Sequence, residues 1–516
     1  MSGTESGGER ERVVEDRIEK LHALRERGVE PFAYSYDPTH TATAARALFD
    51  AWEAGEHGEG EDGPAERVKL AGRVVAKRVM GKSTFIHLAD ATGRIQLYFR
   101  VNDVGAEGYK LLELIDLSDW VGAEGLLFRT RTGEVSVRVD GFQLLAKALR
   151  PLPLGKEDTD PETGERRVYS GFSDTEARYR QRYADLAVNP EVREVFVLRA
   201  RAITALRRFL DERGFVEVET PVLQPLHGGA AARPFTTHHN ALDMQLFLRI
   251  ADELYLKRLV VGGMERVYEI SKDFRNEGLS RFHNPEFTML EFYAAYLDYE
   301  GVMELTEEML GYVVGSVCGG GPVRFGEHEI SFAPPFRRLT MLDALREIGG
   351  VDSESLSDEE MAERVRAVGV APAEVAKLGR GKLIDELFGA LVEPKLIQPT
   401  FITDYPREMS PLAKLKRGNP ELTERFELIV AGKELCNAYS ELNDPIDQRE
   451  RFESQARLRA AGDDEAQPID EDFIRALEYG MPPTGGFGMG VDRLVMILAG
   501  QSSIRDVILF PTMRPE

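Results

Sequence analysis

Residues 273 to 293 read Asp-Phe-Arg-Asn-Glu-Gly-Leu-Ser-Arg-Phe-His-Asn-Pro-Glu-Phe-Thr-Met-Leu-Glu-Phe-Tyr. The pattern predicts two extended runs joined by a polar turn, yet it carries more charge than a buried hairpin tolerates. Side chains alternate between the faces of a strand. The second run therefore places Phe287, Met289, Glu291 and Tyr293 on one side, and the same rule puts Arg275 and Glu277 on a common side of the first. A later run, Glu434-Leu-Cys-Asn-Ala-Tyr-Ser-Glu441, groups Asn437, Tyr439 and Glu441. Three strands carrying carboxylates, an arginine, an amide and phenols within apolar sequence predict a polar pocket on a sheet. The planar fork of Arg275 suits bidentate binding of carboxylate or phosphate, and Phe287 offers a face to a flat ring. The acids Glu253, Glu291 and Glu441 suit a ligand that carries amines, because a buried ammonium needs opposite charge and acceptors.

Downstream, Gly485-Gly-Phe-Gly-Met-Gly-Val-Asp-Arg493 precedes the apolar helix pattern Leu494 to Leu498. Glycines 486, 488 and 490 allow close backbone approach, and Arg493 is expected at a helix start. The spacing is not that of the dinucleotide fingerprint, and no βαβ unit follows. Upstream, a helical pattern from Glu191 to Arg213 ends at Gly214, runs into the strand Phe215 to Glu219 and stops at Pro221. Helix patterns at Glu253 to Val261, Tyr299 to Val313 and Met341 to Ile348 mix with antiparallel strand pairs, which predicts an α+β domain over 191–516.

The N-terminal third differs in texture. Residues 9 to 28 carry Val14, Ile18, Leu21 and Leu24 as the stripe of an amphipathic helix closed by Gly28 and Pro31. Glu53 to Glu66 is acidic and Gly-rich and is expected to be a solvated linker, completing an N-terminal extension over 1–66. Short strands follow at Val68 to Val75, Thr84 to Leu88, Arg94 to Arg100, Leu126 to Arg131 and Glu134 to Leu145. Five of them within 67–150 predict a small barrel of the OB type. Arg73, Lys77, Arg78 and Lys82, with Phe85, Tyr98 and Phe99 nearby, suit single-stranded nucleic acid, because bases stack on rings while cations neutralise phosphates. Residues 155 to 170 are polar and breaker-rich, so 151–190 is expected to be a linker or hinge.

The formal net charge of −23 argues against indiscriminate nucleic-acid binding, so any such contact must come from local basic patches. Cys318 and Cys436 lack the spacing of a zinc site or a disulfide framework, which fits a reducing compartment. The first residues lack a signal-peptide pattern and no apolar run is long enough to span a bilayer, so a soluble, cytoplasmic protein is expected.

Together these segments resemble the class II aminoacyl-tRNA synthetases, and within them the lysine enzymes. The helix and strand ending at Pro221 look like motif 1, Phe274-Arg-Asn-Glu277 through Phe287 like motif 2, and Gly486-x-Gly-x-Gly-x-Asp-Arg493 like motif 3. Lysine-type features are Gly228 to Phe235, Thr237 to Asp243, Leu254 to Leu259, His283 to Thr288, Asn437 to Asp444 and Ile504 to Pro511. The resemblance runs from about residue 67 to the end. It implies an OB anticodon-binding barrel joined to an antiparallel sheet flanked by helices, dimerising through motif 1. The implied reaction joins lysine and ATP as lysyl-adenylate, then transfers lysine to its tRNA, with Mg2+ and no zinc.

The resemblance also carries roles residue by residue. Arg275 and Arg493 are the catalytic arginines, and Glu277, His283, Asn284 and Phe287 complete the ATP set. Gly229, Glu253, Glu291, Tyr293, Asn437, Tyr439 and Glu441 form the lysine set, with Glu427 and Glu434 as metal ligands. Strand parity places Glu434 opposite Asn437, so its role requires a turn or bulge. Arg78, Phe85 and Gln96 match anticodon-reading positions. Tyr439 stands where phenylalanine is common, Cys436 where a small residue is frequent and Ser170 where a histidine is frequent; the first two carry a structural reading. Aspartate or asparagine enzymes share the fold, but a Glu-rich pocket repels an anionic side chain by several kcal/mol. Protein-modifying relatives usually lack the barrel, and a non-catalytic descendant is at odds with intact Arg275, Glu427, Glu434 and Arg493. The class I signatures are absent.

Overall fold

The protein is described from a computed structural model, which covers residues 5–55, 62–159, 166–169, 171–460 and 467–515. The chain forms two compact units, Met1–Asn189 and Pro190–Glu516.

In the first unit, helix α1 (Glu5–Glu26) is followed by Gly28 in the left-handed region, φ +74°. Helix α2 (Ala42–Glu53) starts at Thr41, whose hydroxyl accepts the Ala44 amide. Strands β1 (Arg67–Met80), β2 (Ser83–Ala89), β3 (Arg94–Arg100), β4 (Trp120–Arg129) and β5 (Val135–Ala146) close into a barrel in the order β1-β2-β3-β5-β4. A register shift between Val74 and Ala76 lets the long β1 pair with both β2 and β4. Val68, Val74, Ile86, Leu97, Phe99, Val121 and Val139 fill the interior.

The sequence reading is corrected at three places here. The fourth strand begins at Trp120, not Leu126, because Gly122 and Gly125 interrupt its pattern. Both sit where a side chain has no room: a Cβ on Gly122 would lie 2.4 Å from the Tyr36 ring, and one on Gly125 would lie 1.9 Å from the Arg138 carbonyl. Between β3 and β4 stands helix α3 (Val101–Leu111), which no periodicity signalled because Gly105 (φ 74°, ψ 163°) breaks it in the middle. The 155–170 segment contains an antiparallel pair, Lys156–Thr159 with Arg166–Tyr169, in place of a structureless linker. Ser170 and residues 56–61 of the acidic stretch lie outside the described residues.

The second unit opens with α4 (Pro190–Asp211), two residues shorter at its C-terminus than its pattern suggested, and the short β6 (Val216–Glu217). Helix α5 (Glu253–Val261) leads to β7 (Arg266–Phe274) and β8 (Glu286–Ala295), then α6 (Tyr299–Cys318). Further on come β9 (Arg337–Thr340), β10 (Thr400–Pro406), β11 (Leu415–Lys416), β12 (Asn419–Val430) and β13 (Lys433–Ser440). The chain closes with α7 (Glu471–Glu478), β14 (Thr484–Gly490) and α8 (Val491–Leu498). The sheet order is β9-β10-β12-β13-β14-β8-β7-β6, with β11 pairing β12. Its centre is antiparallel, and the edge pairs β9 with β10 and β6 with β7 are parallel. Leu206 and Phe209 of α4, Val302 and Leu310 of α6 and Leu494 of α8 pack with Phe292, Phe426 and Phe487 of the sheet. Apolar helix faces therefore bury one side of the sheet and leave the other for the polar residues.

Candidate active site

On that polar side the central strands border a cavity of about 640 Å³. Phe287, Met289, Glu291 and Tyr293 of β8 line it together, as alternation requires, and Asn437, Tyr439 and Glu441 line it from β13 and the residue beyond. Gly486, Gly488 and Gly490 of β14 form the floor between them. Strand β7 ends at Phe274, so Arg275 and Glu277 belong to the connection to β8 and not to a strand face. Both still reach the cavity, because the connection folds back over the sheet and the Arg275 amide donates to the Pro285 carbonyl at 2.9 Å.

The parity conflict at Glu434 is resolved by a bulge. Leu428 of β12 faces Cys436, but Ile429 faces Glu434, so Leu435 is an extra residue in β13. The inserted residue turns Glu434 to the same side as Asn437, beside Glu427, and all three line the cavity.

One end of the cavity is built for cations. Burial, reinforced by the charges of Asp252, Asp273 and Glu253, pushes the Glu291 carboxyl well above the usual range. Its oxygens accept from the Asp252 amide (3.2 Å) and the Tyr293 hydroxyl (3.1 Å). Burial also raises Glu441, opposed by Lys257. Lys257 Nζ pairs with Glu253 and with Glu441 Oε2. Glu441 Oε2 is thereby neutralised by Lys257, whereas its buried Oε1 has no partner. An unsatisfied buried carboxylate facing a cavity calls for a cationic ligand. Two glycines make this geometry possible: a Cβ on Gly486 would sit 1.7 Å from Glu441 Oε1, and Gly229 (φ 89°) would carry one 3.1 Å from the Glu253 Cβ. The Gly229 amide donates to Gln467 at 3.2 Å.

Behind Glu291 lies a cluster that sequence reasoning missed. Asp252, Asp273 and Glu291 bring carboxylate oxygens within 4.8 Å of one another. Arg249 compensates them through contacts to Asp252 (3.0 Å), Asp273 (3.4 Å) and Glu269 (2.7 Å). Burial holds Asp273 at about 6 even so. The only hint in the sequence was Asp252 beside Glu253.

A second group of lining residues is cationic and aromatic. The Arg275 guanidinium stands 5.1 Å from the Phe287 ring and makes only long contacts, 3.4 Å, to the Ile250 carbonyl. Arg493, at the start of α8, donates to the Glu434 carbonyl at 2.7 Å and meets His283 Nε2 at 3.2 Å. Burial and Arg493 lower the His283 pKa, keeping a neutral ring there. Asn284 is buried with its Oδ1 unpartnered, and the exposed Glu277 completes the rim. Asp492, which carried no assigned role, pins the floor: it accepts from Arg199 at 2.5 Å and from the Thr288 amide at 2.6 Å.

Glu427 and Glu434 face the cavity from adjacent strands. Burial, then the charge of Glu434, raises the Glu427 carboxyl to about 7 against the pull of Arg425. Arg425 reaches Glu427 at 2.6 Å and Asn437 at 3.1 Å, a link that sequence reasoning also missed. Glu427 is paired with Arg425 and Glu434 meets Arg493 at 3.3 Å, and two hard carboxylates side by side on the cavity wall fit a hard divalent metal.

Residues 174–514 match the family described as tRNA synthetases class II (D, K and N), and residues 68–145 match the OB-fold nucleic acid binding domain. The chain is 54% identical over 500 residues to a lysine–tRNA ligase of Moorella thermoacetica, spanning 97% of both proteins. The chain belongs to the class II lysine–tRNA ligase family. Relatives of the same name from Carboxydothermus hydrogenoformans (51% over 504 residues, 98% of each chain) and Christiangramia forsetii (52% over 507 residues, 97% of this chain and 86% of that one) agree.

In this family member the barrel face is narrower than its composition suggested. Phe99 is in the core, Arg73 donates to the Ser118 carbonyl, and Lys77 donates to the Leu112 and Ile115 carbonyls. Arg73 and Lys77 are half-buried and engaged with internal backbone. The same face carries exposed Arg78 and Lys82, Phe85 stacked on Tyr98 (4.7 Å, 23°) with Arg78 paired across from it, and Arg138 over Phe128 at 5.1 Å. Gln96 is buried and held by Glu134 (2.8 Å) and Ser136 (2.9 Å).

Proposed function

We propose that this enzyme activates L-lysine with ATP and transfers the lysyl group to tRNA(Lys), and that the cavity is where activation occurs. The observation that carries this reading is the partnerless Oε1 of the buried Glu441 carboxylate, which lines one cavity with Glu253, Glu291 and Arg275. Glu441 and Tyr293 take the side-chain ammonium of lysine, with Tyr439 beside them. Glu253, Glu291 and the Gly229 backbone hold the α-amino group, and Asn437 orients the carboxylate. Phe287 stacks on adenine, with Glu277, His283 and Asn284 around the nucleotide, and Arg493 holds the outer phosphates.

The lysine carboxylate attacks the α-phosphorus, a new P–O bond forms and the bond to the β-phosphate oxygen breaks, releasing pyrophosphate. An ionised carboxylate needs no general base; positioning and charge stabilisation by Arg275 do the chemistry. Glu427 and Glu434 would hold Mg2+, which neutralises phosphate charge when bound. In the barrel, Arg78, Phe85 and Gln96 read the anticodon, Gln96 through a rearrangement of its present hydrogen bonds. Exposed Val197, Val216, Leu223 and Leu226 in and after the α4–β6 segment support a homodimer through motif 1. A tRNA substrate supports a cytoplasmic location.

The test is amino-acid-dependent exchange of pyrophosphate into ATP with each of the twenty amino acids, followed by charging of total tRNA. Lysine alone is expected to support strong, magnesium-dependent exchange; exchange with aspartate or asparagine in its place would overturn the assignment.

A further inference from the structure

Lys257 has no place among these roles, yet it touches two of the three carboxylates at the cation end. It sits on α5 one turn beyond Glu253, with its side chain fully buried. Its ammonium pairs with Glu253 on its own helix and with Glu441 at the end of β13. The rings of Tyr439 and Phe473 lie 5.5 and 5.9 Å from the same nitrogen. Glu253 and Glu441 come from separate elements, and two buried carboxylates sharing one ion-pair partner repel each other once it is gone. Of the cavity-lining lysine set, Glu253, Glu291 and Glu441 carry three negative charges when ionised against one positive charge on Lys257, and the net two equals the number of ammonium groups on free lysine; Asp252, Asp273 and Arg249 lie behind Glu291.

We propose that Lys257 is a positioning residue for the amino-acid substrate: it clamps Glu253 to Glu441 and sets the pocket charge at the value that two substrate ammonium groups neutralise. This rests on the lysine reading above. The groups around the clamp are Glu253 on α5, Tyr439 on β13 with Glu441 just beyond it, and Glu291 and Tyr293 on β8; Phe473 of α7 is uncharged. Of these, Lys257 is the cation that favours an ionised Glu441, while burial and Glu253 oppose it.

The experiment is lysine-dependent pyrophosphate exchange by the full-length enzyme and its Lys257→Met, Lys257→Gln and Lys257→Arg variants across a pH series. With the neutral variants the KM for lysine is expected to rise about 10-fold or more while the KM for ATP stays within about threefold. The acid limb of kcat/KM for lysine should move to higher pH in both neutral variants and stay in place in Lys257→Arg. A purely structural lysine would lower thermal stability without moving that limb. Folded neutral variants with an unmoved limb, or with equal losses for lysine and ATP, overturn the clamp. If neither neutral variant shows a cooperative melt, Lys257→Arg decides: an unmoved limb with the loss confined to the KM for lysine supports the proposal, and a shifted limb or equal losses for lysine and ATP overturn it. A parent enzyme silent with lysine removes the functional reading itself, whereas an active parent with unmoved variants removes only the clamp.

Discussion

Arg275 is held so loosely by the protein, with long contacts to a single carbonyl, that its guanidinium is available to a phosphate. Arg275→Ala is therefore expected to lower lysine-dependent exchange by about 10²–10³-fold with little change in the melting temperature, measured by exchange and thermal unfolding. Glu291 and Glu441 make the opposite case, because burial has raised both above the usual carboxylate range. They bind ammonium only when ionised, so falling pH protonates them earlier than exposed carboxylates. The KM for lysine should therefore begin to rise, as pH falls, at a higher pH than the range in which ordinary carboxylates titrate. A lysine KM that stays flat until that ordinary range is reached would show both groups to be ordinary acids. Asp273 adds a stability effect of defined sign. Its folded value of about 6 exceeds the ordinary 3.8, so its contribution is present at low pH and is lost as pH rises toward 6.

Single elements carry single tasks. Strand β14 is glycine-rich because it runs beneath Glu441, and Gly486→Ala would drive a methyl group into that carboxylate. The expected result is a lysine KM raised by about 30-fold or more, with the ATP KM changed by less than about threefold, in the same exchange assay. In the barrel, the Phe85 and Tyr98 rings form a stacked surface beside Arg78. Phe85→Ala should leave exchange unchanged and reduce charging of tRNA(Lys) by roughly 1 to 3 kcal/mol, the range for one stacked base. Equal loss of both activities would tie the barrel to activation instead. The bulge at Leu435 shows how one inserted residue reassigns a side chain: without it, Glu434 would face the apolar side of the sheet.

Over the whole molecule, the excess of acid leaves tRNA binding to local patches, and apolar residues are left exposed around α4 and β6, the face proposed above for a second copy. Leu223→Asp combined with Val197→Asp is expected to convert the dimer to monomer in sedimentation equilibrium and to reduce exchange with it. A monomeric parent enzyme would remove this part of the reading. Arg199 ties α4 to the site through Asp492 and Thr288, so a disturbance of the helix reaches the cavity floor through named contacts.

Residue types, their order along the chain and the period-two alternation of β8 and β13 were enough to name the pocket's chemistry: a guanidinium, a flat face and converging acids. The barrel was legible for the same reason, since alternation is a local property of each strand. Local order could not reveal the bulge at Leu435, the strand hidden by Gly122 and Gly125, or the loop origin of Arg275, because each depends on hydrogen-bond register with a distant partner. Nor could it reveal that Lys257, Arg425 and Arg249 hold the acidic side chains in place. Lys257 with Glu441 and Arg249 with Glu269 and Asp273 come together only in the folded sheet, and even the local pairs Lys257–Glu253 and Arg425–Glu427 gain their strength from burial that the fold supplies.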